Sequence, residues 1–487
     1  MMEGKLDGKV LPENLHFAGI GGIGMSGLAQ MAVSLGHHVS GSDRALESPE
    51  NARIIDSLRK QGALLLPQDG SCYEKEPFPG ATVYSSALEK DNPDFAAAPE
   101  GFPFLHRSKA MEALLRENQC EMNCAVAGTC GKTSVTAMLA EALKNLDAEP
   151  GLLAGGLVNA FRTETFAGNY RKGAGKYFVL EADESDKSLL NYPVDSALLL
   201  NIGTDHYSRE ELCRVFAEFL YHTGLLAVVE DKACLEMEAR CKFRCPAHLN
   251  MILFSVDENA PSRIGNFPVV RGGGYTKERF GSFTFKLDGR KVYLPGPGLY
   301  TASNVCSVYA MLLQYGFSGK DAAEAVMEFH GVWRRFDFAG KTAAGARIYD
   351  DYAHNVEKIA NAISAAKELA SGKVFAIFQP HGYGPLGFMR KELYSALEHV
   401  LGVEDSFHFL PVYYAGGTTS FKPKAEEVAE EYSQLTSVYP TRYGYFESRK
   451  ACRNFLAANA GKEDVILIMG ARDNSLSDFA RELSGEK

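Results

Sequence analysis

A short apolar run, Cys124-Ala-Val-Ala127, leads into Gly128-Thr-Cys-Gly131-Lys132-Thr133-Ser134, and a helical pattern over 135–146 follows. No other feature limits the fold as tightly. A glycine-rich turn between a buried strand and a helix aims backbone N–H groups at an anion. A lysine and a hydroxyl at this spacing suit nucleotide phosphates and Mg²⁺. The common phosphate-loop pattern, G-x-x-x-x-G-K-[ST], is only partly met, because the residue five before Gly131 is Val126. The loop is therefore a shortened variant, with Gly128, Thr129, Gly131, Lys132, Thr133 and Ser134 as its candidate ATP-binding residues. Cys130, at a helix N-terminus that lowers thiol pKa, is a candidate reactive thiol.

A second glycine loop stands nearer the N-terminus. Gly19-x-Gly21-x-x-Gly24 follows a strand over 15–20 and opens a helix over 24–35, and Asp43 ends the next strand, 19 residues beyond Gly24. This is the dinucleotide pattern in its proper setting. It admits three readings: an NAD-dependent oxidoreductase, tight strand–helix packing with no ligand, or a different nucleotide. The physics needs only a diphosphate on the helix N-terminus and a hydroxylated ribose near Asp43, and a UDP-sugar meets both needs. The ATP-type loop further along favours that third option, a ligase acting on a nucleotide-linked substrate.

The 487 residues suggest three domains, and 46% apolar with 23% charged content is ordinary for a globular protein. A net charge of −10 with no Lys/Arg block argues against nucleic acid. No run approaches the roughly 18 apolar residues of a membrane span. The polar start, 1–14, carries no export signal, so a cytoplasmic protein is expected. Ten cysteines in so long a chain read as small buried residues of a reducing compartment. One group, Cys241-x3-Cys245-x2-His248 with Cys234 upstream, has the ligand types of a structural zinc site.

Alternating strand and helix patterns predict an α/β protein with parallel sheets. The pattern restarts near residues 120 and 338, so the expected domains are 1–119, 120–337 and 338–487. Between 250 and 300, glycines alternate with aromatic and β-branched residues, which predicts antiparallel strands. Helices are expected over 304–315, 319–329 and 356–370, and strands over 177–181, 196–202, 346–350, 374–378 and 464–469.

Polar residues collect where these strands end, the edge at which ligands gather in open α/β sheets. Glu181-Ala-Asp183-Glu184-Ser-Asp186 follows one strand. So many carboxylates cannot sit close together ionised without a cation, and Mg²⁺ beside a triphosphate is the obvious one. Asp205-His206 follows another, placing His206 as a metal candidate. Arg334-Arg335 could clamp a γ-phosphate. Asp350-Asp351-Tyr-Ala-His354-Asn355, Gln379-Pro-His381 and Gly470-Ala-Arg472-Asp473 would gather at the edge of the third sheet.

Together these residues resemble the Mur ligase family, in order and over nearly the whole chain. Within it, the members that attach L-alanine to UDP-N-acetylmuramate are the nearest match. The similarity is carried by Gly19-Ile-Gly21-Gly22-Ile-Gly24-Met25-Ser26, Ser85-Ser86-Ala87 with Asn92-Pro93, the 128–133 loop, and Glu181 to Asp186. It continues through Asn201, Asp205-His206 (25 residues after Glu181), Asn304, Arg335, Asp351 to His354 and Gln379-Pro-His381. The resemblance implies a UDP-substrate-binding domain over 1–119, a central ATP-binding domain over 120–337 and a C-terminal Rossmann-like domain over 338–487 that closes the amino-acid and ATP sites, together a cytoplasmic, ATP- and Mg²⁺-dependent ligase of peptidoglycan precursor synthesis. ATP phosphorylates the substrate carboxylate, the amine of an amino acid attacks the acyl phosphate, and phosphate leaves.

It also implies roles. Lys132, Glu181, His206 and Arg335 are catalytic; Thr133, Glu181 and His206 hold metal; the loop with Asn304, Arg335 and Asp351 binds ATP. Gly19, Gly21, Gly22, Gly24, Met25, Ser26, Asp43, Ser85 and Ser86 hold the UDP substrate, and His354 and His381 face the acceptor. The lysine that several sister ligases carbamylate is missing from 216–222. Cys130 and Ser134 stand where the family favours His and Thr, Ala353 and Asn355 where it favours Gly and His, and Gly382 and Pro385 where it carries two acceptor-binding arginines. Cys130 and Ser134 replace neither the loop lysine nor the metal hydroxyl, whereas the changes at 353, 355, 382 and 385 fall on the acceptor side. They keep two alternatives open: a ligase adding a preformed peptide, or a regulator that binds UDP-sugar and ATP without turnover. A monomer or dimer is expected.

Overall fold

The structure, a computed structural model, describes residues 11–48, 51–203, 207–278, 282–414, 421–435 and 442–485. The chain forms two compact units. One holds two sheets, and the other, mainly Trp333–Lys487, holds a third.

The first sheet is wholly parallel, in the order Leu64–Leu66, His38–Ser42, Asn14–Ala18, Ala81–Tyr84, Phe104–His106. Its central strand carries Leu15, Phe17 and Ala18, each at most 1% exposed, the signature of a strand covered on both faces. Because all five strands run the same way, their carboxyl ends share one edge, and the 19–24 loop lies there. Under this sheet His16, Cys72 and Asp94 bring ligand-type atoms within 4.8 Å of one another, all buried. Their polar atoms are already engaged: His16 Nδ1 meets Ser40 Oγ at 2.9 Å, and Asp94 accepts from Ser42 Oγ and, at 3.2 Å, from the Gly70 N–H. Burial pushes the Cys72 thiol up to about 12, with Asp94 adding to the shift. The cluster ties strands to loops.

The second sheet has a parallel centre: Asn250–Ser255, Leu226–Glu230, Ser196–Leu199, Met122–Ala127, Tyr177–Glu181 and Gly151–Leu153. Met122–Ala127 lies between Ser196–Leu199 and Tyr177–Glu181, so the phosphate loop, Glu181 and residues 200–203 emerge side by side. The expectation of antiparallel strands between 250 and 300 holds for Phe283–Leu287 with Arg290–Leu294 and for Arg263–Ile264 with Phe267–Lys277. It fails for Asn250–Ser255, which pairs parallel with Leu226–Glu230 and with Phe267–Lys277. The helix Asp231–Cys241 is the reason: a crossover helix returns the chain to run parallel to the strand it left. The cysteines of the 234–248 group, whose spacing fits no common zinc finger, turn to backbone carbonyls. Cys241 donates to Met237 O and Cys245 to Leu249 O, while His248 meets Thr223 O. They form no metal-type cluster among the described residues.

The two sheets of this unit are seated on each other through helix Ile23–Ser34. Asn169, fully buried, donates to Ile23 O at 2.8 Å and to Ser26 Oγ at 2.9 Å, and accepts from Gln30 Nε2 at 2.9 Å. A Cβ on Gly27 would lie 2.6 Å from Leu153 Cδ1, so any larger residue there forces the Leu153 side chain to move.

The C-terminal unit has the sheet order Asp337–Lys341, Arg347–Asp351, Val465–Met469, Val374–Phe378, Ser406–Phe409, Tyr443–Tyr445. Its first pair is antiparallel and the rest parallel. Ile348, Ile377, Ile466, Ile468, Leu476 and Phe479 form the core on one side. Among the described residues no helix is long and apolar enough to cross a membrane.

Replacing Asn169 by Ala strips partners from buried Ser26 and Gln30. Urea unfolding of Asn169→Ala should show a loss of about 2–4 kcal/mol; a loss below about 0.5 kcal/mol would mean that this network does not hold the seat.

Candidate active site

The phosphate loop is built from backbone conformations that only glycine adopts freely. Gly128 has φ +136° and Gly131 φ +89°. A Cβ on Gly128 would meet Leu200 Cβ at 3.1 Å, and one on Gly131 would meet Asn304 Oδ1 at 2.9 Å. Asn201 pins the loop from the neighbouring strand end. Its Oδ1 accepts from the Cys130 N–H and its Nδ2 donates to Cys130 O, both at 2.9 Å, while Gly203 N donates to Thr129 Oγ1 at 2.8 Å. The helix Lys132–Asn145 then begins with no side-chain cap and no acidic residue in its first turn, and Ser134 lies half-buried there. Its free N–H groups and partial positive charge face the loop.

The carboxylates of 181–186 do not converge on one point, as the sequence led us to expect. They are divided among three sets of partners. Glu184, 2% exposed, takes Lys132 Nζ at 2.7 Å, and Asp183 stands 3.8 Å from the same ammonium. Asp186 pairs with Arg107 at 3.0 Å. Glu181 accepts from Thr133 Oγ1 at 3.1 Å and from the Gly155 N–H at 2.9 Å, and forms no ion pair among the described residues. Burial pulls the Lys132 ammonium down, but Glu184, Asp183 and Glu181 outweigh it and hold its pKa above the ordinary value. The carboxylate left without a cation is thus the one beside the loop hydroxyl. A hydroxyl and a carboxylate oxygen 3.1 Å apart are hard donors suited to Mg²⁺. His206 and Asp205 lie outside the described residues.

At the first sheet, Gly19 (φ +73°) turns the chain under Leu88, and Gly22 caps helix Ile23–Ser34, again without a side-chain cap. Gly22 and Gly24 are exposed. Asp43 does not stand free: its Oδ2 accepts from the Gly21 N–H and its Oδ1 from the Ala45 N–H, both at 2.9 Å. Met25 and Ser26 point inward, Ser26 toward Asn169, while Ser85 is half-buried and Ser86 exposed. Two residues escaped the sequence reading. Gly155 has no motif around it, yet a Cβ there would lie 2.6 Å from Glu181 Oε2. Arg107 follows the strand Phe104–His106, and its meaning depends on Asp186, 79 residues away.

In the C-terminal unit the two arginines part company. Arg334 is not a clamp. It is 1% exposed, at φ +58°, and its guanidinium is consumed by Asp350, Asp473 O and Gly470 O. Arg335 is half-buried, 5.4 Å from the Tyr352 ring. Asp351 accepts from the Phe336 and Ala353 N–H groups at 2.6 and 2.7 Å, and burial pushes its carboxyl up to about 6 against the pull of Arg335. His354 and His381 come together, rings 5.3 Å apart and edge-on. Burial lowers both, His354 to about 4 with its Nδ1 on Tyr352 O, so both are neutral imidazoles at neutral pH. His381 Nδ1 and Gln379 Oε1 are buried without a hydrogen-bond partner, as expected of groups that wait for a polar ligand.

The His354 shift carries a sign. Its folded pKa lies below the ordinary 6.5, so the stability it supports above about pH 6.5 is lost as pH falls toward 4. An NMR titration should place its midpoint near pH 4; a midpoint near 6.5 would show a solvated ring.

Comparison with known proteins covers almost the whole chain. The family model for the catalytic domain of the Mur ligase family matches residues 14–119, that for the Mur ligase middle domain 126–312, and that for the Mur ligase glutamate ligase domain 334–472. A UDP-N-acetylmuramate–L-alanine ligase of Agrobacterium fabrum is 30% identical, over 97% of this chain and 96% of that protein. One from Sinorhizobium medicae is 33% identical, over 94% and 93%. A crystal structure of the UDP-N-acetylmuramate–alanine ligase of Thermotoga maritima aligns with TM-score 0.74 at 24% identity, over 97% of this chain and 98% of that one. It shares the three-domain α/β fold.

Proposed function

Because the chain belongs to the Mur ligase family, we propose that it is an ATP-dependent ligase joining the carboxylate of UDP-N-acetylmuramate to L-alanine in peptidoglycan precursor synthesis. The observation that carries this is the phosphate loop with Lys132 above it and Glu181 on the Thr133 hydroxyl, in a chain that aligns end to end with relatives of that name.

Two anions, the ATP γ-phosphate and the donor carboxylate, must meet, and cations must offset their repulsion. Lys132 serves this need by leaving Glu184 for the phosphates. Thr133 and Glu181, with His206, are the residues that would hold Mg²⁺, which supplies charge neutralisation at the transferring phosphoryl group. Asn304 lines the loop, and Arg335 and Asp351 are offered as further nucleotide contacts. The γ-phosphoryl group passes to the donor carboxylate, the acceptor amine attacks the resulting acyl phosphate, and phosphate departs as the amide forms. The unpartnered His381 and Gln379 atoms, beside His354, support an acceptor role for that pair. A neutral imidazole there can take the proton the amine sheds. The first domain boundary, 119/120, is supported by the family matches that end at 119 and start at 126. The second falls just before residue 334, where the third match begins, rather than at 337/338. A cytoplasmic location and a monomer or dimer complete the reading.

Phosphate release with ATP, UDP-N-acetylmuramate and L-alanine tests it. Lys132→Ala should lower kcat by roughly 10²–10³-fold while the protein stays folded. The same assay with other amino acids and a muropeptide-type tripeptide tests the acceptor. Release with the peptide but not with L-alanine would replace the acceptor. No release with any of them, with both nucleotides still bound, would overturn the ligase reading.

A further inference from the structure

Arg107 opens helix Arg107–Glu117, directly after strand Phe104–His106. That strand is parallel to Ala81–Tyr84, and so to Asn14–Ala18 beyond it. Its end therefore shares an edge with the 19–24 glycine loop. The guanidinium reaches that loop: a Cβ on Gly24 would sit 3.4 Å from Arg107 Nη1. Gly24 is in the first turn of helix Ile23–Ser34, which has no side-chain cap and no acid in that turn. A cation beside the positive end of a helix is electrostatically unfavourable unless an anion lies between or beside them.

Arg107's own bonding leaves room for one. A guanidinium offers five N–H donors in a planar fork. Nη2 is engaged by Asp186 Oδ2 at 3.0 Å, while Nε is shut away from solvent with no hydrogen-bond partner. A buried donor left unpaired is unfavourable, and an oxyanion on the fork relieves it. Asp186 is also held elsewhere, accepting from the Ser188 N–H at 2.9 Å, so Arg107 can be shared without unfolding the loop. That loop is the same one that sets Glu184 on Lys132 and Glu181 on Thr133.

Resting on the donor reading above, we propose that Arg107 is a positioning residue for the anionic part of the nucleotide-linked donor, with Asp186 as its counter-ion when the donor is absent. The fork grips the diphosphate beside the glycine loop, and in doing so loosens its hold on Asp186. Donor occupancy is thereby coupled to the loop that carries the counter-ions of the ATP site.

Titration calorimetry with UDP as the probe, on the full chain, separates the outcomes. Arg107→Gln should bind UDP about 10- to 100-fold more weakly than wild type, and Arg107→Lys should fall between them. Asp186→Asn, which frees the guanidinium, should bind UDP as tightly as wild type or more tightly. ADP binding should persist in all three, which also reports that they fold. In the ligase assay Arg107→Gln should raise KM for the donor far more than it lowers kcat. If wild type fails to bind UDP, the donor reading falls and this inference with it. If wild type binds UDP and Arg107→Gln binds it equally, or if Asp186→Asn weakens UDP binding as much as Arg107→Gln does, Arg107 is merely half of a structural ion pair and this inference alone is overturned.

Discussion

Four carboxylates within six residues, 181–186, set the terms for the nucleotide-binding unit. Left to themselves they would repel one another and push the loop into solvent. The fold instead spreads them over separate groups: Lys132 for Glu184 and, more distantly, Asp183; Arg107 for Asp186; and the Thr133 hydroxyl with the Gly155 N–H for Glu181. This distribution places the phosphate-loop lysine where a triphosphate can claim it. It also leaves one carboxylate, Glu181, on the Thr133 hydroxyl and without an ion pair among the described residues. The parallel sheet makes it possible, since Met122–Ala127, Tyr177–Glu181 and Ser196–Leu199 are neighbours whose chain direction delivers all three loops to one edge.

Buried polar networks do in each unit what apolar contacts alone would leave loose. Asn169 joins helix Ile23–Ser34 to the central sheet through three hydrogen bonds, and Gly27 lets Leu153 come close. In the C-terminal unit Arg334 is spent on Asp350 and two carbonyls. Such a buried ion pair, once formed, is costly to break from one side, by about 3–5 kcal/mol. That cost makes Arg334 a fixture, while Arg335 lies half-buried beside Tyr352 and Asp351.

Much of the site was legible because it is local. Strand, glycine turn and helix follow one another at both loops, and φ values of +136° and +89° at Gly128 and Gly131 bear out the need for glycine. The placement of His354 beside His381 was legible too, since parallel strands end at a common edge. Other features were not. Arg334 and Arg335 are chain neighbours and look alike in sequence, yet only the left-handed backbone at Arg334 turns its side chain inward. Asn250–Ser255 was read as antiparallel because its composition suits either direction, and the crossover helix before it decided the matter. Asp43 was read as a ribose contact, and its oxygens also brace the Gly21 and Ala45 backbone.

By itself the sequence determined the α/β class, two phosphate-type loops, the strand-end clusters and the family to which the chain belongs. These are statements about residues close together along the chain, where periodicity and turn chemistry decide the conformation. Only the tertiary structure decided which charges meet. Lys132 and Glu184 are 52 residues apart, Arg107 and Asp186 are 79 apart, and Gln30 and Asn169 are 139 apart. Such pairings depend on which strands become neighbours. Strand order is settled by the free energy of the whole packed sheet and by no segment alone.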